Sequence, residues 1–234
     1  MEAVVVDTFD LTADTDFAAL VRQVLLGRAG GSLPTDLDPA DWLFRAYAEL
    51  EGSPYRDRLA EGVSACLTDE EPRVRSGALT FFERHPEARG AERIVELAEG
   101  PRALFDGTAS GTAALEDKLM RCVGARILAG DARAREIGRR EALEPGRPVQ
   151  LIAALTQADP DWIVEHAETI VDKTPATGLS ILFNLQSIGR DVLEVGKRIA
   201  RLAKRDRSFK RDLDRFIDDP GVREEIRAAM RERR

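Results

Sequence analysis

Two stretches of this chain set acidic residues, a proline and a Val-Arg pair directly ahead of an apolar stripe: "DEEPRVRSGALTFF" at 69–82 and "DDPGVREEIRAAM" at 218–230. From Pro72 the apolar positions Val74, Ala78, Phe81 and Phe82 fall at i, i+4, i+7 and i+8, one face of an α-helix. Pro72 suits the first helical turn, where its missing N–H loses no bond. Asp69, Glu70 and Glu71 suit the positive end of the helix dipole. The second stretch puts Asp218, Asp219, Pro220, Val222, Arg223, Ile226, Ala229 and Met230 in the same register, every position offset by 148 residues. A looser copy, "ADPDWIVEHAETIV", places Asp159 and Pro160 ahead of Ile163, Ala167, Ile170 and Val171 at the same spacing. The offset is four times 37, a period compatible with stacked helical hairpins, each with more apolar face than it can cover alone.

The rest of the chain agrees with helix. Aromatic residues make up 6%, and the one β-branched run is "VVV" near the start, while Ala, Leu, Arg and Glu dominate. "GRAGGSLPTDLDP", "EGSP", "RHPEARG", "EGPRALFDGTASG", "EPGRP" and "DKTP" punctuate it into helix-sized segments. "TGLSILFNLQSIG" is apolar on more than one side through Leu179, Ile181, Leu182, Phe183, Leu185 and Ile188, so it is expected between neighbours on several sides. The polar last segment, with one narrow stripe, is expected to be an end cap. At 43% hydrophobic and 33% charged, the 234 residues carry enough apolar mass for a core and too much for disorder. No run approaches the ~20 apolar residues of a membrane span, and the start has no basic leader, so a soluble cytoplasmic protein is expected. Cys66 and Cys122, each in an apolar stretch, are expected to be reduced core residues.

The acidic-Pro-x-Val-Arg opening in "DEEPRVRSGAL" and "DDPGVREEI", echoed in "DPDWIVEHA", resembles the HEAT/armadillo-type helical repeat. The resemblance implies an all-α fold, an irregular α-solenoid of antiparallel hairpins, with residues 53–234 as the repeats and residues 1–52 as acidic helices continuous with them. It also implies that the Asp caps a helix and that Arg75 and Arg223 are packing or ladder residues between repeats. The "EGPRALFDGTASG" break departs from a tidy period.

Groups that carry chemistry are sparse. His85 ends a helix before a proline, where a histidine commonly bonds the last carbonyls; His166 stands one turn from Trp162. No H-E-x-x-H, C-x-x-C or G-x-S-x-G occurs. In "GTASGTAALED" the Lys-Ser/Thr of a phosphate loop is replaced by Thr-Ala, and Asp7, Asp10, Asp14 and Asp16 lack the glycine and final glutamate of a calcium loop. Asp14 or Asp16 is explained by capping of the first helix. No cofactor or metal is expected.

Two surfaces remain as candidates. In "DPADWLFRAYAELEG" and just before it, Asp36, Asp38, Asp41 and Trp42 make an acidic patch with a large amphipathic ring, suited to a basic protein surface. Near the far end, Lys197, Arg198, Arg201, Lys204, Arg205, Arg207, Lys210 and Arg211 crowd around Ile199, Leu202 and Ala203, a pattern that can track phosphates. Some HEAT-like proteins are DNA glycosylases with a basic face, a Trp and an Asp, and Asp41-Trp42 and Asp161-Trp162 supply those residue types. A sequence pI near 5.1 opposes that alternative. The leading expectation is a non-catalytic protein-binding solenoid, an adaptor or a stoichiometric inhibitor such as an immunity protein by analogy.

Overall fold

The computed structural model describes residues 4–6, 9–28, 39–100, 112–203 and 207–231. The protein is all-α, with 13 helices among these residues and one small hairpin. The hairpin is made by the valine run: β1 (Val4–Val6) pairs antiparallel with β2 (Phe9–Leu11), Val4 opposite Leu11. Backbone contacts divide the chain into two compact units, residues 1–122 and 123–234.

In the first unit α1 (Phe17–Leu25), α2 (Pro39–Glu49), α3 (Tyr55–Ala65), a 3-10 turn (Cys66–Thr68), α4 (Pro72–Arg84) and α5 (Glu92–Glu99) lead into α6 (Thr112–Leu128), whose residues from Val123 onward belong to the second unit. Helix α1 packs on α3 and α2 packs on α4, besides the contacts between consecutive helices. The α1–α3 approach is close because Gly62 has no side chain: a Cβ there would stand 2.7 Å from the main-chain carbon of Phe17. Asp16 caps α1 by accepting the Ala19 N–H at 3.0 Å.

The second unit continues the alternation. Its helices are α7 (Ala132–Ala142), α8 (Val149–Ala158), α9 (Pro160–Lys173), α10 (Thr177–Ser187), α11 (Leu193–Leu202), α12 (Arg207–Phe216) and α13 (Pro220–Arg231). Helix α10 packs on α8 and α12, and α11 packs on α9 and α13, while neighbours in sequence also touch. Each inward face is therefore shared between the next helix and the next but one. The three sequence stripes behave accordingly. Val74, Ala78, Phe81, Phe82, Ile163, Ala167, Ile170 and Val171 are buried, as are Ile226 and Ala229, whereas Val222 and Met230 of the last stripe are only half-buried.

The prolines open α4, α9 and α13, but the acids before them act differently. Asp219 caps its own helix through the Gly221 and Val222 N–H groups, at 2.7 and 3.2 Å. Asp159 makes no side-chain cap; its carboxylate accepts from Arg139 Nε at 2.7 Å, tying α7 to the start of α9. Asp69 accepts the Glu71 N–H at 2.9 Å and Arg22 Nε at 2.6 Å, tying α1 to the start of α4. Asp218 exchanges hydrogen bonds with the Gln186 side chain of α10. Asp131, the N-cap of α7, accepts from the Arg133 and Ala134 N–H groups and from Arg126.

Arg75 is 4% exposed and donates to the carbonyls of Asp69 and Glu70 at 2.6 and 2.9 Å, closing the end of the 3-10 turn. Arg223, at the equivalent register, donates to the Asp214 carbonyl in the last turn of α12 at 3.3 Å. Both arginines thus satisfy a main-chain acceptor left open where a helical segment ends.

Two outcomes test this packing. Alanine is the better helix former by about 1 kcal/mol, yet Gly62→Ala is expected to lower the thermal midpoint, because the added methyl meets backbone that cannot rotate away. Partial burial by itself would raise the Asp131 carboxyl, but the Ala134 amide and the Arg126 guanidinium hold it below its ordinary 3.8. Its stabilising contribution is therefore complete above about pH 4 and lost as pH falls through the lowered folded value. Asp131→Asn is expected to flatten the acid limb of stability measured by urea unfolding at successive pH values.

Candidate functional site

The acidic patch expected at 36–42 separates into parts. Asp36 and Asp38 lie outside the described residues. Trp42 is 1% exposed, part of the core of the first unit, so its ring is closed to a docking partner in this fold. The face of α2 explains this: Trp42, Leu43, Ala46 and Tyr47 point inward together, at helical spacing. Asp41, in the first turn of α2, is exposed and lines a cavity of about 400 Å³.

Three cations of the basic surface, Lys197, Arg198 and Arg211, are paired with carboxylates. Lys197 Nζ lies 2.7 Å from Glu225 and 3.3 Å from Glu194, carboxylates that raise its pKa, the Glu225 hydrogen bond most. Arg198 donates to the Val164 carbonyl at 2.7 Å and lies 3.6 Å from Glu168, and Arg211 is held by Asp212 at 2.7 Å. Arg201 and Lys210 are exposed; Lys204, Arg205 and the side chain of Arg207 lie outside the described residues. A cation already bound to a carboxylate has less to offer a phosphate.

The two histidines have defined settings. His85 ends α4, but its ring does not bond the helix carbonyls. It lies among the Phe44, Tyr47 and Phe81 rings, and burial pushes its pKa down. His166 stacks on Trp162 with centroids 4.3 Å apart, and its Nδ1 is 2.9 Å from the Trp162 carbonyl. Among the described residues no group of three or more His, Cys, Asp or Glu side chains could hold a metal ion, and no helix is long and apolar enough to cross a membrane. The start of "GTASGTAALED" and Asp7 lie outside the described residues.

Helix α10 lies between neighbours as expected but is not covered on every apolar residue. Leu182, Ile181 and Leu185 are buried between neighbours, as expected, but Phe183 is 47% exposed and Ile188 41%. Helix α10 touches α8, α9, α11 and α12, and the exposure of Phe183 and Ile188 marks the side it leaves open. On that side Phe183 meets Phe216 of α12 edge to face, centroids 5.8 Å apart, with the Arg215 guanidinium 5.9 Å from the Phe216 ring. Gln157 of α8 and Asn184 of α10 join across the adjacent seam at 3.1 Å. Val149 of α8 is a further exposed apolar residue of this unit.

No protein-family model, curated protein or solved structure matches the chain.

Both cysteines are free and buried, and desolvation pushes Cys66 up to about 12 and Cys122 higher still. The Cys122 thiol donates to the Leu79 carbonyl at 3.1 Å. Neither is poised as a nucleophile. Ellman's reagent at pH 8 is expected to leave both thiols unmodified in the folded protein and to titrate two after denaturation.

Proposed function

We propose that this protein is a non-catalytic, protein-binding helical array of the HEAT-like solenoid type, acting as an adaptor or a stoichiometric inhibitor. The packing of α10 on α8 and α12, and of α11 on α9 and α13, supports the solenoid reading, because stacked hairpins share their inward faces in this way. The observation that carries the binding reading is Phe183, a large ring nearly half exposed beside Phe216 on an open helix face. A rigid aromatic flanked by polar groups is what a protein interface uses as an anchor. The first unit holds 23 acidic residues against 13 basic ones, and this excess supports a partner with a basic surface, whose approach it would accelerate. The nucleic-acid alternative loses support from the pairing of Lys197, Arg198 and Arg211 with carboxylates.

A photo-crosslinking residue at position 183 is expected to capture a discrete protein in the native cell, while the same residue at the exposed, polar position 165 does not. With the captured protein purified, Phe183→Ser should weaken binding by about 30-fold, the effect of losing a ~2 kcal/mol anchor. Thermal unfolding should hardly change. Equal affinity of Phe183→Ser and the parent protein would overturn the reading.

A further inference from the structure

The cavity beside Asp41 belongs to the first unit and is independent of the α10 face. One row of α4 builds its floor: Arg73, Ser76, Gly77 and Thr80 follow at i, i+3, i+4 and i+7. Asp41 and Phe44 of α2 and Leu25 of α1 form further walls, and Lys118 enters from α6. Its volume, about 400 Å³, lies in the range of small-molecule sites.

The polar groups of this cavity are donors in excess. Lys118 Nζ donates to Ser76 Oγ at 2.7 Å and Thr80 Oγ1 at 2.9 Å, and lies 3.5 Å from the Ser76 carbonyl, a limiting distance. Its third hydrogen is thus poorly used. Thr80 spends its own hydroxyl hydrogen on the Ser76 carbonyl at 2.9 Å, and among the described residues the Ser76 hydroxyl hydrogen has no acceptor. Among the described residues no carboxylate lies within 4.0 Å of Lys118 or Arg73, although acidic residues outnumber basic ones in this unit. Two cations and a hydroxyl therefore face one space that carries a single carboxylate, Asp41.

We infer that this cavity binds the phosphomonoester of a small hydroxyl-bearing molecule, a sugar phosphate. The phosphate dianion takes the spare hydrogens of Lys118 and Ser76 and the guanidinium of Arg73, and its double charge, which a carboxylate lacks, matches the two cations. Asp41 opposes a bare anion but accepts a hydroxyl hydrogen from the attached sugar, and Leu25, Pro39 and Phe44 give the carbon skeleton an apolar wall.

Calorimetric titration with ribose 5-phosphate, inorganic phosphate and ribose tests this. Ribose 5-phosphate is expected to bind saturably and about tenfold more tightly than inorganic phosphate, with ribose alone not binding. Lys118→Met and Arg73→Gln should each weaken the sugar phosphate by tenfold or more. Asp41→Asn should strengthen inorganic phosphate while narrowing its gap from the sugar phosphate. Lys118 also joins α6 to α4, so its variant is read beside Arg73→Gln, an exposed side chain whose change leaves the near-ultraviolet dichroism intact. No saturable binding up to about 10 mM, a free energy near 3 kcal/mol, overturns the proposal. So does equal affinity in the Arg73 variant. Either result leaves the Phe183 reading standing.

Discussion

Helices α1 to α4 in the first unit and α8 to α13 in the second each pack against a neighbour in sequence and against the helix next but one, and much else is arranged around that sharing. An isolated pair of helices would leave half of each stripe wet. In the second unit the contacts of α10 with both α8 and α12, and of α11 with both α9 and α13, remove that exposure. Hydrophobic burial has no direction, so something must set the stagger between layers. The polar ties between a helix and a distant turn do so: Arg22 to Asp69, Arg139 to Asp159 and Gln186 to Asp218 each join a helix to the acid ahead of a later proline start. Such ties are partly exposed and contribute modestly to stability, but charge-assisted geometry allows few alternative registers.

Much of this was legible from local pattern. Proline starts, acidic first turns and stripes at i, i+4, i+7 and i+8 are read from a dozen residues, and α4, α9 and α13 begin at Pro72, Pro160 and Pro220. The hairpin at the start was written in the three valines, whose β-branching favours a strand, although the helical tenor of the chain outweighed them. The burial of Trp42 was also accessible, since Leu43, Ala46 and Tyr47 share its helical face.

What stayed hidden depends on the third dimension. A helix that is apolar on more than one side is expected between neighbours on several sides, as α10 is, yet which of its residues stay exposed is decided by which helices flank it. Phe183 differs from Leu182 in the sequence by nothing that periodicity can detect. The donor cluster of the cavity is less visible still, because Ser76 and Lys118 are 42 residues apart and meet only when α6 lies along α4. Ser76 lies in the repeat-like stretch but at none of the positions that stretch was read for, and a lysine in a helix reads as solvated.

Charge shows the same separation of scales. The excess of acidic residues in the first unit describes its far field, the potential a partner meets at a Debye length or more. Within a few ångströms the balance reverses, because Lys118 and Arg73 line the cavity with no carboxylate paired to them among the described residues, and Asp41 is the one acid among the described residues of its wall. In the second unit the reverse occurs: within a run of cations that looks strongly basic in sequence, Lys197, Arg198 and Arg211 are paired with Glu225, Glu194, Glu168 and Asp212. Counting charges along a chain therefore measures how the molecule is approached from a distance, and only the pairing of individual side chains determines what it can hold.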